Sequence, residues 1–162
     1  MHGDKPAALP VDIWAAIAII IFCIAMSAFF AASETALTGA SRARMHALER
    51  NGDKRAALVN RLLRKRERLI GTTLLGNTLV NIGSSAFMTS VLVVLIGEGG
   101  AVWATAIMTV LLLVFAEVLP KTVAINNADR ISLLFARVLA PFVAIFGPVL
   151  LAVEVLVRGV LR

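Results

Sequence analysis

Three long stretches of the sequence carry no charged residue. They run from Ile13 to Ser33 (21 residues), from Leu69 to Gly97 (29 residues) and from Gly99 to Ala116 (18 residues, closed by Glu117). A bilayer core of about 30 Å takes roughly 20 apolar residues at about 1.5 Å each. Each stretch therefore predicts a transmembrane helix. The first reads as a retained helix, not a cleaved leader. It has no positive n-region and no A-x-A site followed by a soluble domain. A fourth apolar stretch, Ile131 to Val153, is charged only at Arg137 but contains Pro141 and Gly147-Pro148. Proline removes a backbone donor and kinks or ends a helix, and unpaired backbone groups are expensive in lipid. This stretch predicts a re-entrant or interfacial helical hairpin, broken at its prolines, spanning about 131–157; the alternative, a fourth full span, would put Arg158 and Arg162 outside, against the charge rule.

The polar segments orient these helices. Between Ser41 and Arg68 stand ten Lys or Arg residues, opposed only by Glu49, Asp53 and Glu67. By the positive-inside rule this loop (41–68) is cytoplasmic. The N-terminal segment 1–12, with Asp4, Lys5 and Asp12, then lies outside. Lys121 to Arg130 returns to the cytoplasm, and the hairpin brings Arg158 and Arg162 there as well. The basic loop is itself patterned. Leu48, Leu58, Leu62 and Leu69 recur near helical spacing, and Asn51-Gly52-Asp53 is a turn signal, so two short helices broken at Asn51-Gly52 are expected. Their basic face either sets topology as a solvated surface or binds anionic lipid headgroups. The fold class is an all-α integral membrane protein of the plasma (inner) membrane. It has three transmembrane helices plus a Pro-broken juxtamembrane hairpin. The end at Arg162, directly after an apolar segment, suggests that a cytoplasmic domain follows.

Composition agrees with that class. Hydrophobic residues make up 59% of the chain and charged residues 16%, against about 45–50% and 25% in soluble domains. That gap excludes a disordered chain and argues against an ordinary soluble enzyme. The pI of about 10.7 would suggest nucleic acid. The basic loop alone carries more positive charge than the whole chain's +6, however, so the basicity is an orientation signal and no nucleic-acid partner is expected. Cys23 is the single cysteine, which excludes an intramolecular disulfide and a cysteine-rich metal site.

The scarce polar groups within the apolar stretches carry the candidate chemistry, because ionisable groups in a membrane are costly and functional by default. Glu34 closes the first helix. It is either an interfacial group paired with a loop arginine or part of a site. Glu117 follows a long apolar run and precedes Pro120, which is expected to break the helix and free carbonyl oxygens; the bland alternative is a carboxylate paired with Lys121. Asn77 and Asn81 are four apart and share one helix face, with Thr73, Thr78, Ser84 and Ser85 around them. They are either interhelical glue or cation ligands. Ser27 and Glu34 share a face of the first helix, with Ser33 off to one side. The topology brings these oxygens to a similar depth. An all-oxygen site suits Mg²⁺ or Na⁺, whereas a transition metal would want His or Cys. His2 and His46 lie outside the spans. Ala28, Ala32, Ala36 and Ala40 form a ladder of small residues, for packing within the subunit or between two copies. Three spans enclose a pathway poorly, so a homodimer is expected.

Three segments carry a resemblance. They are Ser27-Ala-Phe-Phe-Ala-Ala-Ser33-Glu34-Thr35-Ala36, Leu75-Gly76-Asn77-Thr78-Leu79-Val80-Asn81 and Glu117-Val118-Leu119-Pro120-Lys121-Thr122. In this order and spacing, the chain from about Ile13 onward resembles the transmembrane domain of the CorC/CNNM magnesium transporters, also labelled hemolysin-like. The resemblance implies a homodimer with three transmembrane helices per subunit and juxtamembrane helices inside. It also implies ATP-binding cytoplasmic CBS domains, which this chain lacks. It implies a dehydrated Mg²⁺ held at Ser27, Asn77, Asn81 and Glu117, with Ser33 and Glu34 as further candidates. Family members often carry serine where this chain has Ala31, so Ser27, Ser33, a backbone carbonyl or water supplies that oxygen here.

Two functions of different class are therefore expected. The first is Mg²⁺ transport by alternating access, as export coupled to Na⁺ entry. The second is a Mg²⁺-sensing membrane scaffold that does not transport. An enzyme acting on lipid lacks a nucleophile–base pair, so no enzymatic activity is expected.

Overall fold

The computed structural model describes residues 12–160, which are helical apart from short connections. The expected extracytoplasmic segment 1–12 lies outside the described residues except for Asp12. Helix α1 (Ile13–Gly39) is followed by two short helices, α2 (Arg42–Arg50) and α3 (Lys54–Arg64). The long α4 (Arg66–Ile96) leads to α5 (Gly100–Leu111), a π-helical segment (Leu112–Val118) and α6 (Leu119–Asn126), which together form one rod. Helix α7 (Ala128–Val160) completes the chain.

Local chemistry explains these boundaries. Ser41 caps α2 by accepting from the Arg44 N–H, and Asp53 caps α3 by accepting from the Arg55 N–H at 2.8 Å. The Arg55 guanidinium donates to the same carboxylate and holds it below the usual range, most strongly through the side-chain hydrogen bond. The break between α2 and α3 falls at Asn51-Gly52, with Gly52 at φ +89°, so the two basic helices form where the turn signal predicts them. Gly97, at φ +79°, ends α4 and turns the chain into α5.

The long helices are apolar on most of their surface, as lipid contact requires. Four stretches are long and apolar enough to cross a membrane by length and composition: Ile13–Gly39, Arg66–Ile96, Gly100–Asn126 and Ala128–Val153. Polar groups concentrate at the α2–α3 end. The core at that end joins Phe30 and Leu37 of α1 to Met45, Val59, Leu62, Leu69 and Leu139.

The broken hairpin expected at 131–157 does not form. Helix α7 runs unbroken through Pro141 and Pro148. Each proline removes one ladder donor, but the remaining bonds of a 33-residue helix carry the backbone across the gap. The two prolines are seven apart, so they share one face, and both are exposed. The contacts of α7 lie toward the α2–α3 end. Ala128 sits beside Gly39, Phe135 packs on Phe29 at 5.0 Å, Phe142 on Phe30 at 5.3 Å, and Leu150 against Gly71. Gly71 is only one and a half turns into α4, so α7 slants across that end of the bundle.

The alanine ladder packs inside the subunit. Ala32 and Ala36 are buried against Ala124 of α6, with Ile131 and Phe135 of α7 alongside.

Candidate metal centre

Helix α1 is the shared element of the site, because it packs against α4, the π segment, α6 and α7. Ser27 lies on its buried side with no exposed surface. Its hydroxyl meets the amide oxygens of both asparagines of α4, Asn77 Oδ1 and, at 2.7 Å, Asn81 Oδ1. The asparagines reach it together because residues four apart on a helix stack one above the other. A hydroxyl carries one proton and donates to one acceptor at a time. An asparagine amide carries an N–H₂ donor beside its oxygen, so either amide can turn to donate to the Ser27 oxygen while the hydroxyl donates to the other. With both amide oxygens turned inward, the three groups present neutral oxygens of the kind a hard cation coordinates.

The register that permits this is set one turn away. Gly76 faces the Phe30 ring so closely that a Cβ there would stand 2.7 Å from Phe30 Cζ. The ring is held from its other sides by Phe29 and Phe142, at centroid distances of 5.5 and 5.3 Å. The glycine before Asn77 thus brings α1 and α4 close enough for the serine and the amides to meet.

Glu117 belongs to the π segment, which also packs on α1. It is half-buried, and among the described residues its carboxylate has neither a hydrogen-bond partner nor an ion pair. The expected alternative pairing with Lys121 does not form. Pro120 does not break the helix as expected. Instead, the Leu119 N–H donates to the Val114 carbonyl, five residues back, and α6 continues directly. A proline in a regular α-helix clashes with the carbonyl four residues earlier; the wider π turn takes up the strain. Pro120 has no N–H to give, so the Phe115–Ala116 turn keeps a carbonyl oxygen without its helical donor. π turns of this kind recur at functional sites.

The other candidates are placed differently. Ser33 is fully buried and its hydroxyl has no partner among the described residues. Glu34 is half-buried and forms no ion pair with the loop arginines. Both lie about two turns closer to the α2–α3 end than Ser27. Ala31 is buried. Thr73 spends its hydroxyl on the Leu69 and Ile70 carbonyls, and Ser84 on the Asn81 carbonyl, so neither adds to the cluster. No group of three His, Cys, Asp or Glu side chains gathers among the described residues. The π turn and the Phe30–Gly76 contact were not foreseen from sequence. The adjacency of Phe29-Phe30 and of Gly76 to the polar motifs was their only signal.

The chain matches the family model for the cyclin M (CNNM) transmembrane N-terminal domain over residues 18–162. It belongs to the CNNM family. Curated relatives include a UPF0053 protein of Haemophilus influenzae, 34% identical over 89% of this chain and 34% of its own length. The UPF0053 inner membrane protein YfjD of Escherichia coli is 38% identical over 85% of this chain and 32% of its own. A chloroplastic DUF21 domain-containing protein of Arabidopsis thaliana is 33% identical over 89% of this chain and 22% of its own. The chain thus spans between 22% and 34% of these relatives' length. UPF0053 and DUF21 proteins carry the CorC/CNNM membrane domain, so the resemblance in the three polar motifs is the family relationship itself.

Proposed function

We propose that this CNNM domain is the membrane part of a Mg²⁺ transporter, exporting Mg²⁺ across the plasma membrane by alternating access, coupled to Na⁺ entry. The family's association with divalent cation transport supports this. The observation that carries it is the convergence of the Ser27 hydroxyl and the Asn77 and Asn81 amides between α1 and α4. Mg²⁺ gives up its waters reluctantly and needs several oxygens, at least one of them anionic. In this proposal Ser27 and the two amides supply neutral oxygens, and the carbonyl left free by Pro120 adds another. Glu117 supplies the charge. Ser33 and Glu34 line the route toward the basic end, which is cytoplasmic by the positive-inside rule. The small-residue ladder is used within the subunit, so the homodimer rests on the pathway's need for a second wall. Cytoplasmic CBS domains belong to the longer protein.

The test is Mg²⁺ flux in proteoliposomes loaded with a Mg²⁺ indicator, with and without a Na⁺ gradient. Flux that rises with the gradient and is abolished by Glu117→Gln and by Asn81→Ala is the expected result. Normal transport by both variants would overturn the site. Mg²⁺ binding without flux in the wild type would favour the alternative, a Mg²⁺-sensing scaffold.

A further inference from the structure

A groove of about 380 Å³ opens between α3, the start of α4 and α7. Its walls are apolar: Leu58 and Leu62 on one side, Ala140, Val143, Gly147 and Leu151 on the other. Its rim carries three cations, Arg61, Lys65 and Arg68. None of the three takes part in an ion pair among the described residues, whereas Arg44 and Arg55 are paired with Asp129 and Asp53. Arg68 stands immediately before Leu69, where the uncharged run of α4 begins, with Lys65 one turn earlier and Arg61 on α3 beside them. They are therefore at the height where headgroups meet hydrocarbon.

We propose that this groove binds one anionic phospholipid, with its phosphate on Arg61, Lys65 and Arg68 and part of an acyl chain along α7. Charge complementarity selects the headgroup. Three cations on one rim, without ion-pair partners among the described residues, repel one another, and a phosphate relieves all three while accepting their hydrogen bonds. The apolar walls select a chain over a free anion. A single bound lipid would tie α3 to α7, the helix that backs Phe30 and, through it, the Ser27 cluster.

The test is native mass spectrometry of the purified protein in detergent, titrated with phosphatidylglycerol or phosphatidylcholine of matched chains. One phosphatidylglycerol per chain is expected, retained about tenfold more tightly than phosphatidylcholine. The triple variant Arg61→Gln, Lys65→Gln, Arg68→Gln removes that preference. Gly147→Leu fills the groove, since a Cβ there meets no atom within 4 Å, and it weakens both lipids about tenfold with all three cations intact. Glycerol phosphate, a headgroup without chains, fails to displace the bound lipid. Equal retention of the two lipids by the wild type would overturn the proposal. So would a preference that survives the triple variant, unchanged binding by Gly147→Leu, or displacement by glycerol phosphate. Circular dichroism checks folding, and if the triple variant does not fold, Gly147→Leu decides.

Discussion

The ring of Phe30 occupies the space that a side chain on Gly76 would need, with Phe30 Cζ 2.7 Å from an ideal Cβ. This contact fixes the distance between α1 and α4 one residue before Asn77. Phe29 and Phe142 flank the ring and block its retreat. Gly76→Ala is therefore expected to destabilise the fold by about 1–3 kcal/mol, the usual cost of overpacking a filled core. It also pushes the amides away from Ser27. Denaturant unfolding in detergent measures the first effect and Mg²⁺ titration the second. An alanine variant as stable as the wild type would mean that the ring yields freely.

Ser27→Ala separates ligand from glue. If the cluster only joins helices, the change costs stability, about 1 kcal/mol for one hydrogen bond, and leaves Mg²⁺ binding alone. If the cluster holds the ion, Mg²⁺ affinity measured by calorimetry falls at least tenfold, with a stability loss of similar size. The second outcome is expected. The Ser27 hydroxyl and both amides converge between α1 and α4, and with the amide oxygens turned inward they form the neutral part of a Mg²⁺ shell.

The sequence makes the helices and the polar motifs legible, because uncharged runs and residue spacing act locally. The pairing of Asn77 with Asn81 follows from helix geometry alone. That both would point at Ser27 depends on a contact between α1 and α4, which motif spacing does not encode. The misjudged element, α7, shows the limit of proline as a signal. Pro141 and Pro148 look like breaks in a one-dimensional reading, but they fall on one exposed face and the helix passes through them. Pro120 is a second case. A broken helix was expected there, and the helix instead responds with a π turn at Leu112–Val118 and runs on. The three cations of the α3–α7 groove were legible as a basic face. The apolar wall beside them was not, because it comes from residues some eighty positions later.

Asp129, at the start of α7, clamps the junction between α1 and α2. Its carboxylate accepts from the Ser41 backbone N–H at 2.8 Å and pairs with Arg44. Asp129→Ala removes both and is expected to cost about 1–2 kcal/mol. The lower end is favoured, because the Arg44 side chain is 67% exposed and water screens the pair. Asp129→Asn keeps an acceptor for Ser41 and should recover most of the loss. Hydrogen exchange of the α2 amides reports it: faster exchange in the alanine variant and near-normal exchange in the asparagine variant. Equal exchange in all three would show that the clamp contributes nothing.

Pro120→Ala tests whether the free carbonyl of the π turn is a ligand. Alanine restores an N–H that can bond the carbonyl at the Phe115–Ala116 turn, worth about 0.5–1.5 kcal/mol. It also loosens the unfolded chain, which costs about 0.4–1 kcal/mol. These terms oppose each other, so overall stability should change by less than about 1 kcal/mol. Ion binding has no such compensation. A carbonyl engaged by a backbone N–H, in a segment free to return to α-helical winding, coordinates Mg²⁺ less well and shifts Glu117 around the helix axis. Mg²⁺ affinity is expected to fall about tenfold at nearly unchanged stability, read by calorimetry beside thermal unfolding of the same sample. Unchanged affinity would leave the turn as an adaptation to proline and remove its carbonyl from the proposed ligand set.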